Sequence, residues 1–341
     1  MYAWLSRHHA KLQFGLRMTV AALAAYAAGE ALGLAQTYWA VLSAVIVIQG
    51  STGGSLRAGI NRLIGTVGGA VWGAAVSLLI PHTGVTSLGV AMLAAVAPLA
   101  VVTGFRPDYR VAPITAIIVL MATVLMQADP VSSALSRFAE ICLGSAIAVA
   151  VALFVLPARA HRLLARAASA AVSEMARIVA MLGGAPGAGV DMQALLEVQK
   201  RLRVAVASAE TRADEADVER ANRLSEGPDP EPLVRTLRRL RHDLAMLARA
   251  LAAPIAPPAR ELLAPPLAAL LGAIHLWLTA TAKALADGRK APALDTVQAS
   301  VRDYRAVMAS AGEEALVYRA GGGIHWIFAL LFVFEEMLPN L

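Results

Sequence analysis

Only one cysteine, Cys142, occurs in the 341 residues. A single thiol excludes any intramolecular disulfide, so helix packing must hold the chain together. Aromatic residues are sparse as well, at 5%. Nothing interleaves them with basic residues in the manner of a nucleic-acid surface, so the net charge of +6 implies no nucleic-acid partner. The seven histidines lack metal-ligand spacing, and His8 and His9 are adjacent rather than on one helical face; no metal is expected. Phosphate loops of the GxGxxG and GKS/T kinds are missing, and spacing gives no Ser-His-Asp arrangement. Neither an ATP-driven pump nor a hydrolase is supported, and no enzyme activity or cofactor is expected.

What is abundant is apolar sequence: 58% of residues are hydrophobic and only 16% charged, with a mean hydropathy of +0.61. That is too apolar for an ordinary soluble protein of this size, and the sequence predicts an all-α membrane protein. A spanning helix needs about 20 mostly apolar residues. Six segments meet or approach this, at about 15–34, 38–50, 57–80, 86–105, 110–127 and 136–156. The basic, amphipathic start, MYAWLSRHHAKLQFGLR, reads as an uncleaved anchor because a second span follows at once. Lys and Arg set the orientation. With the N-terminus inside, Arg7, Lys11, Arg57, Arg62, Arg106, Arg110, Arg159, Arg162 and Arg166 are cytoplasmic, and only Arg137 lies at an outer end. Both termini are then cytoplasmic.

The six segments also read as two copies of three. WAVLSAVIVIQ from Trp39 aligns with VAPITAIIVLM from Val111, an offset of 111 − 39 = 72, and Arg62 and Gly69 correspond to Arg137 and Gly144 at an offset of 75. Three helices per copy is an odd number, so the second copy must be inverted, and such repeats bring a substrate site to their interface near the midplane.

The stretch from Tyr38 to Gly73 organises the rest. An apolar helix ends at Gln49, a small-residue loop runs from Ser51 to Ser55, and Arg57, Asn61 and Arg62 lead into the next apolar helix. Gln49, Thr52, Arg57, Asn61 and Arg62 can cradle an organic carboxylate, because free N–H groups at a helix start favour an anion and arginine grips it with two prongs. Cytoplasmic anchoring explains the same arginines without a ligand, and both readings stand at this stage. Gly65, Gly69 and Gly73 recur every fourth residue, a face along which another helix can approach closely. Arg137 and Glu140 share a face of the sixth segment. A buried carboxylate that gains and loses a proton suits proton coupling, while a static ion pair is the structural alternative.

From Pro157 the composition changes. Residues 1–156 hold eight of the 30 Lys+Arg and four of the 24 Asp+Glu, so the sequence divides into a membrane domain, 1–156, and a cytoplasmic helical domain, 157–341. Helices are expected at about 158–182, 191–224, 230–252, 264–286 and 293–318, with Leu195, Val198, Leu202 and Val206 as an amphipathic stripe and the charges from Glu210 to Arg220 as a solvated face. Ile324 to Phe334 is apolar but only about half a membrane thickness long, and reads as a docked helix.

Trp39-Ala40, the turn at Thr52 to Gly54, and Arg57 through Asn61-Arg62 to Gly65-Thr66 resemble the signature of the fusaric acid resistance family of bacterial aromatic-acid exporters, and more distantly the plant aluminium-activated malate channels. The resemblance runs over roughly residues 10–182. It implies a bacterial inner-membrane exporter of small organic or aromatic acids, with membrane lipid and an organic anion as partners. The longer exporters carry two membrane halves and two soluble parts where this chain has one of each, so a homodimer is expected. An anion channel and a non-transporting scaffold are the other functional classes.

Overall fold

The structure is a computed structural model that describes residues 2–80, 84–126, 129–184, 191–252, 257–311, 334 and 337–340. Among these every regular element is a helix. The chain divides into two compact units, Met1–Ala160 with Val218–Ser225, and His161–Asp217 with Glu226–Leu341.

The first unit holds α1 (Tyr2–Ala31), α2 (Tyr38–Val47), α3 (Thr52–Leu79), α4 (Val85–Phe105), α5 (Val111–Met126) and α6 (Pro130–Phe154). Local chemistry sets their ends. α1 stops at Gly33, whose φ of +64° lets Leu34 N–H reach back to Gly29 C=O at 3.1 Å, a close that glycine adopts without strain. α6 starts on Asp129, whose carboxylate accepts from Ser132 N–H at 2.8 Å, with Pro130 at the first helical position, where its missing N–H costs nothing. α3 begins earlier than its composition suggests. The expected loop from Ser51 to Ser55 is helical from Thr52, because Ser51 Oγ caps Gly54 N–H at 2.9 Å and Ser55 N–H bonds Ser51 C=O at 3.1 Å.

Among the described residues, four helical stretches are long and apolar enough to cross a membrane: Thr52–Leu79, Val85–Phe105, Val131–Phe154 and Glu261–Asp287. Three match segments expected to span. α2, with 10 residues, rises only about 15 Å; α5 is described over 16; α1 carries Lys11, Arg17 and Glu30 along its length.

Packing in this unit runs on small side chains. α3 lies on α5 and α6, and α2 on α6. At Gly69 and Gly144 the backbones themselves meet. A Cβ on Gly69 would strike the Ala112 carbonyl of α5 and come within 2.9 Å of Thr115 Cβ; one on Gly144 would strike the Ala40 carbonyl of α2 and come within 2.8 Å of Ser43 Cβ. Gly73 sits as tightly on Ala116, 2.8 Å from its Cα, whereas Gly65 makes ordinary contact with Ala112 N at 3.5 Å. The glycine face of α3 is therefore filled by α5 of the same chain. Large apolar residues such as Leu79, Val85, Phe105 and Phe154 point outward instead.

The second unit contains α7 (Ala160–Gly183, its first residue in the first unit), α8 (Met192–Ala221, its last four residues in the first unit), α9 (Glu231–Ala252), α10 (Pro257–Asp287) and α11 (Asp295–Ala311). Leucines fill its core, among them Leu164, Leu195, Leu202, Leu237, Leu244, Leu247, Leu270 and Leu271. α10 is apolar enough to span because its buried stripe is leucine-rich while much of its outer face is Ala, Gly and Thr. Ser169 Oγ donates to Ala282 C=O at 2.7 Å and ties α7 to α10. Tyr304 is fully buried edge-on to Phe334, with ring centroids 5.9 Å apart, and burial pushes its phenol pKa well above the ordinary value. The rest of the expected docked helix, 324–333, lies outside the described residues.

The glycine crossings make a direct prediction. Gly144→Ala forces the α2 backbone away and should cost about 1–3 kcal/mol, read as a lowered melting temperature in detergent. Gly68→Ala on α3, with nothing within 4 Å of the new methyl, should leave it unchanged or slightly raised.

Candidate functional site

Among the described residues, the first unit buries three arginines, Arg17, Arg62 and Arg137, and two carboxylates, Glu140 and Glu219. Charges in such surroundings require partners.

Arg62 lies 62 − 52 = 10 residues into α3, about 15 Å along its axis. It is thus well inside the helix rather than at its mouth, as the sequence had suggested. Its side chain is 7% exposed, and Nε donates to Ser43 Oγ on α2 at 3.1 Å. Ser43 is the residue that Gly144 packs against, so the glycine crossing sets the position of the hydroxyl that holds Arg62. Among the described residues no carboxylate pairs with this guanidinium.

One turn earlier on α2, Trp39 meets the other arginine. Arg137 lies over its ring, 4.4 Å from the centroid, a favourable placement for a cation on an aromatic face. Arg137 Nη1 donates to Glu140 Oε2 at 3.0 Å, with side chains 9% and 2% exposed. Arg137 Nη2 also donates to Gln36 Oε1, an oxygen that accepts from Trp39 Nε1 at 3.0 Å and Tyr38 OH at 2.9 Å. α2 therefore presents two cations one turn apart, one neutralised by an acid and one held by a hydroxyl. Among the described residues, the hydroxyls of Thr66 on α3 and Ser145 on α6 are buried without hydrogen-bond partners.

The other sequence-selected residues do not gather on Arg62. Arg57 is half-exposed and 3.6 Å from Asp108. Asn61 is half-buried on α3. Gln49 is exposed, its amide bonded to Ile46 C=O at 2.9 Å. Thr52 is buried with Oγ1 donating to Ala152 C=O at 3.1 Å.

The start of α3 is filled from within the chain. Thr52 N–H goes to Ala158 C=O at 3.1 Å, Gly54 N–H to Ser51 Oγ, and Gly53 N–H to Glu219 Oε1 at 2.9 Å. Glu219 also accepts from Ala160 N–H, at 3.0 and 3.1 Å to its two oxygens. One carboxylate thus caps the beginnings of α3 and α7, where two helix dipoles favour a negative charge. It is 1% exposed, so the solvated face expected from Glu210 to Arg220 fails at this residue. Arg159 Nη1 reinforces the joint through Leu224 C=O at 2.9 Å. Leu156 and Arg223 flank it with φ of +48° and +56°, a left-handed conformation that costs an L-residue about 1–2 kcal/mol. The anion-favouring N–H groups of α3 are hence occupied by Ala158, Glu219 and Ser51, which leaves arginines as the groups that can meet an external anion.

Glu219→Ala should expose this joint. Losing hydrogen bonds to a charged acceptor costs about 1.5–3 kcal/mol each. Hydrogen exchange should accelerate at the Gly53 and Ala160 amides, and the melting temperature should fall. Unchanged protection at both amides would show that the carboxylate is not their partner.

Among curated proteins no match to the chain is found. Residues 23–151 match the model of the family described as fusaric acid resistance protein-like. The match begins in α1, ends in α6 and includes Trp39, Ser43, Arg62, Arg137 and Glu140. Together with the apolar helices, this match points to a multi-pass membrane protein related to transport.

Proposed function

We propose that the protein transports small organic anions, aromatic carboxylates first among them, out of the bacterial cytoplasm, and that Arg62 is the group that binds the substrate carboxylate. The observation that carries this reading is the environment of Arg62. It is buried well inside α3 and held by a serine hydroxyl, with no acid among the described residues opposite it. Cytoplasmic anchoring accounts for an arginine at a helix end, not for one at this depth.

The proposal includes six spans in two inverted copies of three. Two observations support it. Gly69 meets Ala112 and Thr115, and Gly144 meets Ala40 and Ser43; the pairs interchange at the offsets of 75 and 72 read from the sequence. α1 packs on α2 as α4 packs on α5, and α3 on α5 as α6 on α2. On this alignment Glu140 corresponds to Gly65, so Arg137 has an internal counter-ion three residues on and Arg62 has none. A substrate carboxylate supplies at Arg62 what Glu140 supplies at Arg137. The Lys/Arg asymmetry supports cytoplasmic termini, and the proposal includes a homodimer.

Arg62→Lys keeps the charge but loses the planar fork that grips a carboxylate. In reconstituted vesicles it should insert normally yet move benzoate at least tenfold more slowly. Wild-type rate and affinity in this variant would remove Arg62 from the substrate site.

Glu140 is the coupling residue in this reading. Separation of the Arg137–Glu140 pair during transport leaves a carboxylate in low dielectric, which favours proton uptake; when the pair re-forms the proton leaves. Glu140→Gln should abolish benzoate accumulation driven by a pH gradient while preserving downhill exchange. Full gradient-driven accumulation in that variant would reduce the pair to a structural contact.

A further inference from the structure

We infer that Arg17 is an anion-binding residue whose ligand, a carboxylate or a phosphate, comes from outside the chain. Arg17 is 1% exposed, and among the described residues its Nε and Nη2 are buried with no hydrogen-bond partner. Arginine stays charged under all physiological conditions, and a buried charge without a counter-ion is among the least tolerable features of a folded interior. Two donors in one plane fit the two oxygens of a carboxylate or phosphate.

The place of Arg17 in the fold supports this. Along α1 the buried positions recur every fourth residue as Arg17, Ala21, Ala25 and Gly29. Three are the smallest side chains available and seat α1 against α2 and α6. Arg17 occupies the fourth place of this tight stripe, which simple packing would give to another Ala or Gly.

The level of Arg17 follows from register. Gly29 abuts Thr37, where α2 begins, and the two helices run antiparallel. Moving back 12 residues from Gly29 to Arg17 corresponds to moving forward 12 from Thr37, to Gln49. That is the break between α2 and α3, where Ile48 is extended and Gln49 and Gly50 are exposed. Non-helical backbone inside a membrane domain is tolerated where it lines a cavity or binds a ligand. Helical side chains tilt toward their own N-terminus, which directs the guanidinium toward the entry side of α1. An anion reaching the break from that side meets Arg17 before Arg62. Either a phospholipid headgroup or a soluble organic acid can supply it.

Two arms of one experiment separate the sources, using full-length wild type, Arg17→Leu, Arg17→Lys and Arg62→Lys in mild detergent. Native mass spectrometry follows retention of phosphatidylglycerol, and calorimetry follows benzoate binding. Arg17→Leu should lose at least tenfold in one arm, and Arg17→Lys, which keeps the charge without the fork, should fall between. Loss of phosphatidylglycerol alone assigns a lipid headgroup; loss of benzoate alone assigns the soluble acid. If wild type retains neither probe, or if both variants retain both at wild-type levels, the inference is overturned. Retention unchanged at Arg17 with benzoate binding lost in Arg62→Lys would overturn it and leave the transport proposal standing. Wild type that holds phosphatidylglycerol but no benzoate would sink the transport proposal and leave the lipid arm to decide Arg17.

Discussion

The membrane unit depends on two places where helix backbones touch, α3 on α5 at Gly69 and α6 on α2 at Gly144. Between lipid-facing helices there is no hydrophobic drive, since acyl chains are as apolar as leucine. Association must come from dispersion over closely approaching surfaces, and glycine permits the closest approach. The polar groups inherit their positions from these contacts. Gly144 seats Ala40 and Ser43, Ser43 holds Arg62, and Trp39 beside Ala40 underlies Arg137.

The two units obey opposite packing rules. In the first, the buried positions are mostly Ala, Gly, Ser and Val, while leucines and phenylalanines face out. In the second, leucines fill the interior and arginines cover α9. α10 shows why composition alone misleads: its length and apolarity qualify it as a span, yet Leu263, Leu267, Leu270, Leu271, Ile274 and Leu278 turn into the core of the second unit.

Much of this was legible from residue patterns. The helices of the second unit follow their amphipathic periods, and the α2–α3 region stands out by its small residues and arginines. The depth of Arg62 was not legible. STGGS reads as loop by propensity, and only the bonds from Gly54 N–H to Ser51 Oγ and from Ser55 to Ser51 C=O start the helix there, five residues before Arg57. Glu219 was hidden in a run of charges whose neighbours are solvated; its burial follows from tertiary contacts to Gly53 and Ala160 that no local pattern encodes. Arg17 was hidden differently, inside a basic N-terminal stretch that anchoring explains well. Its signal was the four-residue recurrence with Ala21, Ala25 and Gly29, a stripe that calls for small residues and receives an arginine.

The most direct test of the account is to locate a bound aromatic carboxylate. Crystals grown from lipid and soaked with 4-bromobenzoate carry an anomalous scatterer on the substrate. The account predicts a bromine peak in the seam between α2 and α3, with the carboxylate against the Arg62 guanidinium and Ser43 still holding Nε. A peak elsewhere in the membrane unit, with Arg62 bonded to Ser43 and no carboxylate beside it, would contradict the assignment of Arg62 as the substrate-binding cation.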